Sequence, residues 1–154
     1  MKSIIPFKFS ACQIFISAIS WIWLTVLPAS AQRYNFSGYT IANGLPSNHV
    51  NDVHQDKYGR LWVATMNGAC WFDGQHFYRF EQDNPAASNP VKAIYEDKTG
   101  NLWMATRSGV GVFNGLKKKF FTIDDGLLSN NVTAIAQDAQ GNYWIGTTEG
   151  LSKY

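Results

Sequence analysis

The sequence predicts an all-β fold built of β-propeller blades: three four-stranded antiparallel repeats of 41 residues, the last incomplete. The first observation is an internal period. Asp56-Lys57-Tyr58-Gly59-Arg60-Leu61-Trp62 returns as Asp97-Lys98-Thr99-Gly100-Asn101-Leu102-Trp103 and again as Asp138-Ala139-Gln140-Gly141-Asn142-Tyr143-Trp144, 41 residues on each time. Periods of roughly 20–50 residues mark repeat architectures. The second is turn chemistry: Asp-x-x-Gly and Asp-Gly or Asn-Gly steps separate short apolar runs, the pattern of hairpin-linked strands. The third is composition, 15% aromatic and only 16% charged, which suits short strands and tight turns better than helices.

Taken in order, residues 1–31 read as an export signal. Lys2 and Lys8 give a basic start, Phe9 to Leu27 is largely apolar, Pro28 breaks the run, and Ala29-Ser30-Ala31 supplies the small-x-small cleavage pattern before Gln32. An uncleaved membrane anchor is the alternative, since the run is nearly long enough to span. Without Lys2 and Lys8 the 13 basic residues become 11, equal to the 11 acidic ones. No global field attracts nucleic acid. After cleavage Cys70 is the remaining cysteine of 2, so no intrachain disulfide is expected, and its apolar strand predicts a buried, inert thiol.

Residues 32–43 are expected to hold a closing strand over Arg33 to Thr40, because Tyr39, Phe80 and Phe121 share one repeat position. Such a strand would complete the last blade. Repeat 1 covers residues 44–85, repeat 2 residues 86–125, and repeat 3 residues 126–154. In each, four strands are predicted. Repeat 1 has Val50 to Gln55, Leu61 to Thr65, Ala69 to Phe72 and Gln75 to Glu81. Repeat 2 has Val91 to Glu96, Leu102 to Thr106, Val110 to Phe113 and Lys117 to Ile123. Repeat 3 has Val132 to Gln137, Tyr143 to Thr147 and Leu151 to Tyr154.

The turns have causes. Asp56, Asp97 and Asp138 begin type I turns that Gly59, Gly100 and Gly141 end with positive φ. Asp73-Gly74 and Asn114-Gly115 join the third strand to the fourth. The first two strands are apolar on both faces, so each sheet needs a sheet on either side. Ala64, Ala105 and Gly146 permit that approach. Trp62, Trp103 and Trp144 occupy one strand position and are expected to pack between blades rather than to stack on ligands. Propellers typically need about four to eight blades. Further blades are therefore expected in cis, in a longer chain, or from other copies in an oligomeric ring.

The pattern Gly126-Leu127-x-x-Asn130-x-Val132-x-x-Ile135-x-x-Asp138-x-x-Gly141-x-x-Trp144-Ile145-Gly146-Thr147-x-x-Gly150-Leu151 closely resembles the two-component regulator propeller repeat. That repeat is found in the periplasmic sensor part of bacterial hybrid histidine kinases, particularly in the Bacteroidetes. The resemblance spans residues 44 to 154 three times over. It implies a periplasmic sensor that binds a small-molecule or oligosaccharide ligand and relays it, through downstream membrane and kinase segments, to a DNA-binding regulator. No kinase histidine, phosphate-cradling loop or spanning segment follows residue 31 in this sequence. Two other classes stand beside it: a propeller enzyme of lyase or glycosidase type, and a free-standing periplasmic scaffold.

No catalytic group, cofactor site or metal site is read from the residues. Asp-x-x-Gly supplies one carboxylate per turn, too few for calcium, which takes about 6–8 oxygens. His49, His54 and His76 lack ligand spacing. Asp124-Asp125 and Glu96-Asp97 are neighbours whose side chains point apart, and Lys117-Lys118-Lys119 reads as protection of an outer strand. Candidate ligand contacts lie instead where the copies disagree at one end of the blades. These are Asn67, Arg107 and Glu149 in the loops after the second strand, with His49 and Asp52 at the start of the first. N-terminal sequencing of the exported protein is expected to begin at Gln32; an intact Met1 would identify residues 1–31 as an anchor.

Overall fold

The computed structural model describes residues 34–80, 90–115 and 117–154. The chain divides into two units, Met1–Ser37 and Gly38–Tyr154. In the first, residues 34–37 are described and carry no regular structure; the second contains every described strand. Three antiparallel sheets follow one another. Blade 1 is β1 (Val50–Gln55), β2 (Leu61–Thr65), β3 (Gly68–Phe72) and β4 (Phe77–Arg79). Blade 2 is β5 (Val91–Glu96), β6 (Leu102–Thr106), β7 (Val110–Phe113) and β8 (Lys118–Phe121). Blade 3 is β9 (Val132–Gln137), β10 (Tyr143–Thr147) and β11 (Gly150–Lys153). Spatial order follows sequence order in each sheet, as an up-and-down meander requires.

Each blade is pinned at the turn between its first two strands. The Asp56 carboxylate accepts from the backbone N–H of Tyr58 and Arg60 through Oδ1, at 2.9 and 3.0 Å. Through Oδ2 it accepts from Arg60 Nε at 2.7 Å and from the indole Nε1 of Trp62 at 2.9 Å. Asp97 accepts from Asn101 Nδ2 at 2.8 Å and Trp103 Nε1 at 2.9 Å, and Asp138 from Asn142 Nδ2 at 2.8 Å and Trp144 Nε1 at 3.0 Å. One acid thus closes the turn and satisfies the tryptophan N–H that burial would otherwise leave unpaired. Glycine ends each turn because the chain there takes φ of 83, 87 and 93° at Gly59, Gly100 and Gly141.

The core lies between blades. With a period of two along β2, Trp62 and Ala64 face blade 2 and pack with Val91, Ile94, Leu102 and Met104, while Val63 joins Cys70 and Leu45 on the other face. One blade later Trp103 and Ala105 pack with Val132 and Ile145 of blade 3. Ala64 and Ala105 are fully buried, as their role in close approach demands. Cys70 is also fully buried, and burial raises its thiol pKa to about 11, leaving it inert at neutral pH.

Several expectations need correction. Tyr34 to Thr40 forms no strand, and Arg33 lies outside the described residues. Thr40 instead caps a 3-10 turn, Ile41–Asn43, and the Tyr39 ring packs 5.4 and 5.5 Å from Phe72 and Phe77. Side-chain packing on blade 1 takes the place of backbone pairing there. The fourth strands are shorter than expected, because four residues, Asp73 to His76, separate the paired Phe72 and Phe77. Asp73 Oδ1 accepts from the N–H of both Gln75 and His76 at 2.8 Å, which makes a longer loop than a two-residue hairpin. Ile123 leaves β8 for a second capped 3-10 turn, Ile123–Asp125. The predicted end of the fourth strand at Glu81 lies outside the described residues. Strands β1 and β9 are exposed or half-buried at most positions, so only β5 shows the two-sided burial expected of a first strand. Trp144 is half-buried where Trp62 and Trp103 are buried.

Asp97 receives two donors that Asp56 lacks: the Thr99 hydroxyl at 2.6 Å on Oδ1, and Tyr143 Oη of blade 3, which reaches Oδ2 at 2.7 Å. Burial alone would raise the Asp97 pKa, but the bonds from Thr99, Trp103, Tyr143 and the Asn101 N–H outweigh it and hold the carboxyl well below its usual range. Asp138 is lowered to about 2 by the bonds from Asn142 and Trp144. A depressed folded-state pKa contributes stability above the unfolded value and loses it as pH falls through the folded one. Resistance to urea unfolding is therefore expected to fall steadily from about pH 4 towards pH 2. Asp97→Asn is expected to cost roughly 2–4 kcal/mol at pH 7 and to flatten that acid limb.

Candidate functional site

The loops after β2, β6 and β10 share one device. Thr65 Oγ1 donates to Gly68 O at 2.7 Å while accepting from Asn67 N at 3.1 Å. Thr106 and Gly109 repeat it at 2.8 Å, and Thr147 and Gly150 at 2.9 Å. Each threonine hydroxyl clamps the loop, so the two residues inside it project outwards whatever their identity. Those residues are Met66-Asn67, Arg107-Ser108 and Thr148-Glu149, and Asn67, Arg107 and Glu149 are all exposed.

The start of each first strand lies beside these loops. Met66 N donates to His49 O and Thr148 N to Asn131 O, both at 3.1 Å, and Asn67 Nδ2 reaches Pro46 O at 3.3 Å. His49, also exposed, therefore shares an end of the blade with Asn67. Arg107 and Glu149 hold the same end of blades 2 and 3. Among the described residues no hydrogen bond or ion pair joins these four side chains to one another, so they form a rim of separate groups.

Asp52 behaves differently. A register shift at the start of each first strand re-aims the residues that follow it. Asp52 Oδ2 accepts from Ile94 N of blade 2 at 2.8 Å, and Oδ1 accepts from its neighbour Val53 N at 2.8 Å. Asn51 Nδ2 donates to Val91 O at 2.7 Å, and Lys92 Nζ to Asn131 Oδ1 at 2.7 Å. These side chains tie one inner strand to the next. The disagreement among Asp52, Ala93 and Ala134 thus reflects a seam between blades 1 and 2.

The remaining chemistry is structural. Glu96 Oε2 accepts from Lys57 N at 2.9 Å and lies 3.5 Å from His54 Nε2, and Asp125 completes the cap on Thr122. The paired carboxylates hold turns. Lys119 Nζ sits 4.2 Å from the Phe121 ring centroid, so the basic run lies over aromatic faces. Among the described residues no group of three or more His, Cys, Asp or Glu could hold a metal ion.

Sequence reasoning missed a concave surface at the opposite end of the blades. A cleft of about 540 Å³ lies between the turns of blades 1 and 2, lined by residues that include Lys57, Tyr58, Arg60, Asn101 and Phe113. A second, of about 380 Å³, shares Arg60, Phe113 and Gly115 with it and adds Arg79, Trp71 and Lys118. The signal was present: Arg60 departs from Asn101 and Asn142 at its repeat position.

Comparison with known proteins follows the same periodicity. Residues 44–67, 86–108 and 126–149 each match the two component regulator propeller family. Histidine kinase P4 of Formosa agariphila is 37% identical over 70 residues, which are 45% of this chain and 5% of the kinase. The extracellular domain of BT3049 of B. thetaiotaomicron, described as a hybrid two component system, superposes with a TM-score of 0.71 at 30% identity. The match covers 80% of this chain and 18% of that one. That of BT4673 from the same organism, also described as a hybrid system, gives 0.63 at 25% identity over 71% of this chain and 17% of its own. The chain thus spans less than a fifth of the length of each of these three relatives. Among the described residues no helix is long and apolar enough to cross a membrane.

Asp52→Ala is expected to lower unfolding stability by about 1–3 kcal/mol in urea titration, the cost of leaving the Ile94 N–H unpaired. Unchanged stability would return Asp52 to the ligand-contacting set.

Proposed function

From a chain built of two-component regulator propeller repeats, we propose a ligand-sensing propeller of a two-component signal transduction system, exported to the periplasm. It is the N-terminal part of a hybrid histidine kinase and senses a glycan or other small ligand. The observation that carries this reading is the threefold repeat match, together with the likeness at TM-scores of 0.71 and 0.63 to extracellular domains of two-component systems.

The physical logic is division of labour within the repeat. The aspartate-tryptophan turn and the threonine clamp hold every loop in one geometry, so the residues inside it can change without disturbing the fold. Asn67 offers an amide, Arg107 a planar cation and Glu149 an acceptor, a set suited to hydroxyl-rich ligands. A sensor of this kind binds its ligand without chemistry on it. The signal is relayed through membrane and kinase segments of the parent protein.

Titration calorimetry of the purified chain against a panel of neutral and acidic oligosaccharides is the test. Saturable binding without a hydrolysed or eliminated product is expected, with Arg107→Ala and Glu149→Ala each weakening it about three- to tenfold, the loss of one hydrogen-bonding group. Turnover of a bound saccharide would instead identify an enzyme.

A further inference from the structure

The groove between blades 1 and 2 has a chemistry that the repeat frame does not require. Its two adjoining clefts are lined by Lys57, Arg60, Arg79 and Lys118, and among the described residues no aspartate or glutamate lines either one. Asp56, which adjoins it, is buried and already bonded to Arg60 Nε at 2.7 Å. That bond leaves the Nη groups of Arg60 without an acceptor among the described residues. Arg79 is exposed and likewise meets no acceptor among them.

Aromatic faces hold Arg60 and Lys57 in place. The Arg60 guanidinium carbon lies 5.3 Å from the Tyr58 ring centroid and 5.6 Å from those of Trp62 and Trp71. Lys57 Nζ is 5.2 Å from the Tyr58 centroid. Cations ordered this way lose little further entropy on meeting an anion. Tyr58 is 71% exposed, so its side chain reaches solvent at the mouth of the groove.

The corresponding positions at the boundary of blades 2 and 3 decide whether this is a by-product of repetition. There Arg60, Arg79, Tyr58 and Trp71 are replaced by Asn101, Phe120, Thr99 and Val112. Both guanidinium groups and both polar-edged rings are peculiar to the first boundary. Positions the fold fills with other residues elsewhere carry, here, cations and flat rings together.

We propose that the groove between blades 1 and 2 is a binding site for a small acidic saccharide. Arg60 and Arg79 bind its carboxylate, and Tyr58 takes the face of a sugar ring. The proposal rests on the sensing role above and adds to it a second site, specific for acids, at the opposite end of the blades from the Asn67, Arg107 and Glu149 rim. Arginine is suited to the task because its planar fork meets a carboxylate through two parallel N–H bonds. Clefts of about 540 and 380 Å³ match a ligand of a few rings rather than a polymer.

The experiment is calorimetry of the purified chain with trisaccharides of galacturonic, glucuronic and mannuronic acid and with their methyl esters. At least one acid is expected to bind, and its ester about tenfold more weakly or worse, since esterification removes the charge-assisted bonds. Arg79→Gln and Tyr58→Ala are each expected to weaken the acid about fivefold or more. Arg79→Gln should leave the melting temperature of the free chain unchanged, because Arg79 is exposed and has no acceptor among the described residues. Equal binding of acid and ester overturns the proposal, as does a short oligonucleotide binding in place of every saccharide. Acid binding that survives Arg79→Gln but is lost in Arg107→Ala moves the ligand to the opposite rim and leaves the sensing role standing. A folded chain that binds no saccharide, acidic or neutral, removes the glycan-sensing role and this site together.

Discussion

One hydrogen-bonded group supports the rest of this structure: the carboxylate that starts each turn and accepts the indole N–H six residues later. A tryptophan is the largest apolar surface a blade can offer its neighbour, but its N–H cannot be buried unpaired without cost. Placing the acceptor inside the adjoining turn solves both problems with one residue. Asp56, Asp97 and Asp138 shape the hairpin with one oxygen and release the ring for packing with the other. The core between blades forms because that acid is in place.

Much of this was legible in the sequence, and the limit has a physical pattern. The first two strands of every blade fall where expected, Val50–Gln55 and Leu61–Thr65 among them, because a strong turn separates two apolar runs of fixed length. The fourth strands were overestimated. Asp73-Gly74 looks like a two-residue turn, but the Asp73 carboxylate captures two N–H groups and draws Gln75 and His76 into the loop. The aromatic spacing that suggested a strand around Tyr39 reflects ring packing on Phe72 and Phe77. A period in side chains reports who packs, not who pairs.

The candidate site shows the same limit. Exposed loop positions were readable, since Thr and Gly at fixed spacing mark the clamp and whatever lies inside it must project. What Asp52 does was not readable. Its partner is a backbone N–H 42 residues away, and backbone groups leave no trace in residue identity. The groove between blades 1 and 2 escaped for a related reason. It is assembled from turn and outer-strand residues of two repeats, and no one stretch of sequence shows them together.

The Tyr143 hydroxyl on Asp97 also bears on how such a protein can be rearranged. Asp56 draws its strong second donor from Arg60 of its own blade, while Asp97 borrows one from the next blade, where Leu102 of blade 2 offers nothing comparable to Asp56. The repeats are therefore not interchangeable bricks. Exchanging blades 2 and 3 would bury the Tyr143 hydroxyl against an acid already engaged by arginine, and would strand Asp97 with one donor fewer. Shuffling of whole blades by recombination meets a barrier that substitution within one loop does not. Variation in this scaffold is channelled into the residues between threonine and glycine, and order along the chain is held by phenol and carboxylate.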